Sequence, residues 1–130
     1  MKILIVEDSV ETAEILAEAA RLFGCEQVDV VASGGDAIGK AILVDYDLIT
    51  LDIRMPGVSG LDALSVIRGI RAHSILAIIS GYLEGFEAEA FQQADVVLSK
   101  PVPLDLLQQV FQLSKEIRAH RRALRDLGNF

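Results

Sequence analysis

Tryptophan is absent from this chain, and five Phe and two Tyr are its only aromatic residues. A core therefore has to be filled by Val, Ile, Leu and Ala, which the 52% apolar content supplies. A single cysteine, Cys25, excludes an intramolecular disulfide and a cysteine-based zinc site, and agrees with a reducing compartment. Basic residues are in the minority, 12 Lys and Arg against 19 Asp and Glu, and the net charge of −7 argues against general nucleic-acid binding, which needs a positive field. No apolar run reaches the roughly 18–20 residues of a membrane span. The run that begins at Met1 and ends at Val6 is too short for a signal peptide and enters acidic sequence at once. Linkers, repeats and low-complexity stretches are missing too. These absences leave one soluble domain, expected to be cytoplasmic, with neither a membrane nor a nucleic acid as partner.

What is present is an alternation. Ile3 to Val6 is a continuous apolar run that suits a buried strand, and Glu7-Asp8-Ser9 ends it, with Ser9 or Asp8 placed to cap a helix. Ala13, Leu16, Ala17, Ala20 and Phe23 recur at helical spacing up to Gly24. Val28, Val30 and Val31 mark a second strand, and Ser33-Gly34-Gly35 opens a helix ending near Val44. Leu48 to Leu51 is a third buried strand, terminated by Asp52 and by the turn Met55-Pro56-Gly57. Ser59-Gly60 precedes a helix over about 61–72 with Leu64 and Ile67 inward, and Ile75 to Ile79 is a fourth strand closed by Ser80-Gly81. A short helix is expected over Leu83 to Gln93, then a fifth strand at Val96-Val97-Leu98, ended by Ser99-Lys100-Pro101. The last helix starts near Pro103 and runs to about Leu127. Strands alternating with helices predict an α/β fold, a parallel sheet covered on both faces.

In such a sheet every strand's carboxyl end lies on one edge, where open α/β sheets place their ligand sites. Glu7, Asp8, Asp52, Ser80 and Lys100 all fall at those ends. Each has an ordinary reading alone: an acidic pair at a helix start, a turn cap, a turn, a loop. Together they describe a site. Three crowded carboxylates call for a divalent cation, and all-oxygen ligation with room for water and phosphate favours Mg²⁺ over zinc.

The acidic pair Glu7-Asp8, Asp52 followed by Met55-Pro56-Gly57, the hydroxyl of Ser80 and the dipeptide Lys100-Pro101 make the chain resemble, over nearly its full length, the receiver domain of two-component response regulators. The resemblance implies a (βα)5 doubly wound, flavodoxin-like sheet in the order 2-1-3-4-5 with an extended C-terminal helix. It implies that Asp52 accepts a phosphoryl group from a phosphohistidine on a sensor histidine kinase or a histidine phosphotransfer protein. Glu7, Asp8, Asp52 and the backbone carbonyl of Arg54 would hold Mg²⁺, Ser80 and Lys100 would contact the phosphoryl oxygens, and the Lys100–Pro101 bond would be cis. The implied role is a switch that catalyses only its own phosphorylation and dephosphorylation. With no output domain after residue 130, a stand-alone receiver is expected, the other arrangement being an extended helix that led into an effector.

Three positions depart from the family pattern. Val97 stands where an aromatic usually couples the site to the output face. Arg54 places a long cation two residues after Asp52, where it could shield the phosphoryl group or pair with Glu84, and Tyr82 could act from the opposite loop, altering the lifetime of the acyl phosphate. The helix around 83–93 is acidic and contains Gly85. In the tail, Leu106, Val110, Leu113, Ile117, Leu124 and Leu127 follow three- and four-residue steps that outrun the domain, so residues 1–116 read as the receiver and 117–130 as an extension seeking a second copy. Lys115, Arg118, Arg121, Arg122 and Arg125 read as a solvated face complementing the helix C-terminus, with an acidic partner surface as the sharper alternative. His73 and His120 have no metal-ligand spacing. Competing functions are a phosphorylation-independent docking module, an aspartate-nucleophile phosphatase (which would want an aspartate where Arg54 stands) and a flavin binder, disfavoured by the acidic loop after the first strand.

Overall fold

The computed structural model describes residues 1–55, 57–81 and 92–128. Among them are β1 (Lys2–Val6), α1 (Val10–Phe23), β2 (Gln27–Val31), α2 (Gly34–Leu43), β3 (Leu48–Leu51), α3 (Gly60–Ile70), β4 (Ile75–Ser80), β5 (Val96–Ser99) and α4 (Leu104–Leu127). The helix expected over Leu83 to Gln93, with Tyr82 and Glu84, lies outside the described residues but for Gln92 and Gln93, which form a turn.

All four strand pairings are parallel, and the sheet order is β2-β1-β3-β4-β5, as the resemblance implied. Side chains alternate across the sheet. Ile3, Ile5, Leu48, Ala77 and Ile79 pack with α1 and α4, where Phe23 and Phe111 tilt together at 5.6 Å between ring centroids. Leu4, Val6, Ile49, Leu51, Leu76 and Ile78 pack with α2 and α3. Both faces are covered, so the central strands read as unbroken apolar runs. The edge strands β2 and β5 are only partly buried, and Val30 of β2 is exposed.

Three helices begin in the same way. The hydroxyls of Ser9, Ser33 and Ser59 accept from the amides of Thr12, Asp36 and Asp62, capping α1, α2 and α3. Gly24 ends α1 in the left-handed region at φ 96°, its amide donating to the Ala20 and Arg21 carbonyls. Arg68 of α3 ties the helix to the far strands: its guanidinium donates to the Ser74 and Gln93 carbonyls and pairs with Asp95 at 2.9 Å, while Asp95 also accepts from the Leu76 amide.

The last helix differs in one respect from the sequence pattern. Its inward residues are Leu107, Val110, Phe111 and Ser114. The longer stripe shares only Val110 with that face, and Leu113, Ile117, Leu124 and Leu127 are exposed. A stripe at three- and four-residue steps says that a helix has an apolar side, but not which side the sheet covers.

Candidate functional site

Parallel pairing brings the expected groups to one edge. Val6 pairs with Leu51, and the Asp52 amide continues the ladder by donating to the Val6 carbonyl at 3.0 Å, which places Asp52 beside Glu7. Ser80 pairs with Ser99, and the Lys100 amide donates to the Ser80 carbonyl at 3.0 Å. Glu7, Asp52 and Ser80 are buried, whereas Asp8 is exposed. Carboxylate oxygens of Glu7, Asp8 and Asp52 all lie within 4.8 Å of one another. The Lys100 ammonium donates to Glu7 Oε1 and reaches Asp52 Oδ2 at 3.2 Å, and the Lys100–Pro101 bond is cis.

The neighbours push the two buried carboxyls apart. Burial raises Glu7 most, the hydrogen bond and charge of Asp52 add to it, and Lys100 opposes, leaving Glu7 up at about 7. Burial alone would raise Asp52 too, but a hydrogen bond with Glu7, the Lys100 ammonium and a hydrogen bond from Ser80 take it below the ordinary carboxylate range. Lys100 is raised: burial opposes its charge, and Glu7 and Asp52 outweigh burial. These contacts favour the charged form of Asp52 over that of Glu7.

A divalent cation fits this donor set. Glu7 Oε2 is buried and has no hydrogen-bond partner among the described residues, although it belongs to a cluster of three carboxylates. A buried orphan oxygen is costly unless something electropositive meets it. All-oxygen donors suit a hard ion such as Mg²⁺.

One feature of the site escaped the sequence pattern. A Cβ built on Gly60 would lie 1.9 Å from the Asp52 carbonyl oxygen, and the Gly60 amide donates to the Ile53 carbonyl at 3.0 Å. The start of α3 is therefore pressed against the backbone that carries Asp52, which only glycine allows. Gly57 takes φ 77° in the turn that follows Asp52. Gly60 was legible only as a helix start, because its constraint comes from contact with a chain segment eight residues away. Arg54 is exposed, and its amide donates to Asp52 Oδ1 at 3.3 Å. Val97 pairs with Ile78 and packs beside the buried cluster on the α2–α3 face.

The response regulator receiver domain family model matches residues 3–112. This chain is a member of that family. Receiver domains are signalling switches of two-component systems, and the acidic cluster fits receiver-domain metal binding. A CheY-like receiver domain from Methylobacillus flagellatus superposes with a TM-score of 0.80 at 30% identity, covering 88% of this chain and 98% of that one. The response regulator TrrA from Thermotoga maritima, in complex with Mg²⁺-BeF, has the same score and identity over 88% and 99% of the two chains. TrrA in complex with the histidine kinase ThkA matches with a TM-score of 0.78, at 30% identity over 88% and 98% of the two chains. Among curated proteins, the cell cycle transcriptional regulator CtrA of Caulobacter vibrioides is 28% identical over 99% of this chain, and a protein-glutamate methylesterase/protein-glutamine glutaminase of Archaeoglobus fulgidus is 34% identical over 65% of it. The chain spans 57% and 24% of the lengths of those two relatives. No helix among the described residues is long and apolar enough to cross a membrane.

Proposed function

We propose that this receiver accepts a phosphoryl group on Asp52 from a phosphohistidine, on a sensor histidine kinase or a histidine phosphotransfer protein, and that the modification switches a protein-binding surface. The observation that carries the reading is the Asp52 carboxylate: buried, held ionised, 3.2 Å from the Lys100 ammonium and beside an orphan oxygen of Glu7. Glu7, Asp8, Asp52 and the Arg54 carbonyl would hold Mg²⁺, which neutralises the crowded charge and polarises the phosphoryl oxygens.

The chain's own groups account for the transfer. An Asp52 oxygen attacks phosphorus, the P–N bond to the donor imidazole breaks, and the imidazole leaves with that electron pair. Negative charge then moves from the carboxylate to the phosphoryl oxygens, and Lys100 follows it. The Ser80 hydroxyl, already bonded toward Asp52, gains stronger acceptors and draws the end of β4 with it. Such a protein catalyses only its own phosphorylation and dephosphorylation.

The domain boundary belongs to the same proposal: 1–116 form the receiver and 117–130 its C-terminal extension, the last inward side chain of α4 being Ser114. The exposed stripe Leu113, Ile117, Leu124 and Leu127 would seat a second copy of the chain. Size-exclusion with and without phosphorylation checks this, and a monomer under both conditions removes it.

The primary test is intact mass after incubation with Mg²⁺ and a small acyl phosphate, with Asp52→Asn alongside. Gain of one phosphoryl group, prevented by chelator and absent in the variant, is expected. No gain, with magnesium binding also absent, would leave a phosphorylation-independent docking module.

A further inference from the structure

At the opposite edge of the sheet from Asp52, a strand's length or about 13 Å away, the last helix crosses the strand N-termini and borders an open cleft of about 270 Å³. Arg118, Arg121, Arg122 and Arg125 line it from α4, and Lys2 and His73 line it from the sheet side. The arginines stand at i, i+3, i+4 and i+7, so all four occupy one helix face. Asp45 and Asp47 also line the cleft, which leaves five permanent cations facing two carboxylates in a chain whose net charge is −7.

This face opposes the stability of its own helix, since like charges four residues apart repel. Internal partners relieve only half of it. Arg118 pairs with Asp47 at 3.5 Å and with Glu26 at 3.8 Å, and Arg121 donates to the His73 carbonyl. The guanidinium groups of Arg122 and Arg125 have neither a hydrogen bond nor an ion pair among the described residues. Arg118 and Arg121 thus fix one wall of the cleft, while two planar donor forks at its side have no partner among the described residues. Lys115, which the sequence groups with these residues, lies instead over the Phe23 ring at 5.9 Å and is not part of the cleft.

We propose that this cleft binds a small anion bearing adjacent phosphate groups, at a site separate from Asp52. Guanidinium forks match phosphate oxygens two at a time, which a point charge does not. The small volume of the cleft suits a compact ligand, and the acidic net charge disfavours a nucleic acid. The site does not depend on phosphorylation of Asp52.

The test is calorimetric titration of the full chain with inorganic pyrophosphate, in chelator so that the carboxylate cluster cannot contribute through a metal. Saturable binding of one equivalent is expected. The double variant Arg122→Ala/Arg125→Ala should weaken it by at least about tenfold, and Arg122→Lys, which keeps the charge but loses the fork, by less. Asp45→Asn removes an exposed lining carboxylate and should tighten binding, an effect that damage to the fold would not produce. Absence of saturable binding, equal affinity in the double variant, or equal binding of polyglutamate under the same conditions would each overturn the phosphate site; the last would mark the face as a dock for acidic protein.

Discussion

At the scale of single residues, Glu7 and Asp52 have similar carboxyls and divergent fates. Both are buried, but Lys100 and Ser80 favour the ionised form of Asp52, and Asp52 itself discourages ionisation of Glu7. Glu7 is raised above its unfolded value, so its contribution to stability is complete below the ordinary carboxylate range and is lost as pH rises through about 7. In chelator, the melting midpoint should therefore fall between about pH 5 and about pH 8, and Mg²⁺ should flatten that slope. Midpoints measured across this range with and without the metal check the sign. Mg²⁺ affinity should weaken toward acid because a proton competes for Glu7. Gly60 offers a second test. Gly60→Ala places a methyl on the Asp52 carbonyl, and backbone rather than a flexible side chain must yield. We expect a loss of about 1–3 kcal/mol in denaturant unfolding, with slower phosphorylation by a small acyl phosphate.

At the scale of elements, the helices owe their limits to local signals and their faces to tertiary contact. Serine caps, Gly24 and the spacing Ala13, Leu16, Ala17 and Ala20 mark α1 fully in the sequence. The sequence pattern predicts the third helix from Leu61 to about Ala72, and it runs from Gly60 to Ile70. Gly39 lies inside α2 with nothing within 4 Å of the place an alanine methyl would take, so Gly39→Ala should stabilise the protein by about 0.4–1 kcal/mol in the same unfolding assay. The opposite signs at Gly39 and Gly60 separate a helix-propensity effect from a close approach. In α4 the amphipathic pattern was clear but its orientation was not. The sheet selects Leu107, Val110 and Phe111, which join the buried cluster of Ile3, Ile5, Ala77 and Ile79, leaving Leu113 and Leu124 outside.

At the scale of the molecule, the two edges of the sheet carry opposite charge, a carboxylate cluster at the carboxyl ends and a guanidinium cluster at the amino ends. α1 leaves the carboxylate edge at Val10 and exposes Val10, Ile15 and Leu22 along its length, with Ile15 and Leu22 seven residues apart on one outward face. An apolar outer face that begins at the edge carrying Asp52 suits the docking of a phosphohistidine protein. Ile15→Asp should cut the rate of transfer from a cognate histidine donor by about tenfold or more while leaving phosphorylation by a small acyl phosphate unchanged. Parallel kinetics with the two donors check it, and an equal effect on both would place the defect inside the fold.

The alternation of apolar runs and helical spacings determined an α/β fold by itself, because buried parallel strands and amphipathic helices each have a local signature. Candidate site residues were legible for the same reason: topology alone delivers Glu7, Asp8, Asp52, Ser80 and Lys100 to one edge. Only the tertiary structure decided what depends on distances between segments remote in sequence. It pressed Gly60 against Asp52, set Lys100 between Glu7 and Asp52, and turned Arg122 and Arg125 into a cleft with Lys2 and His73. Periodicity reports what a helix face contains; packing decides what that face meets.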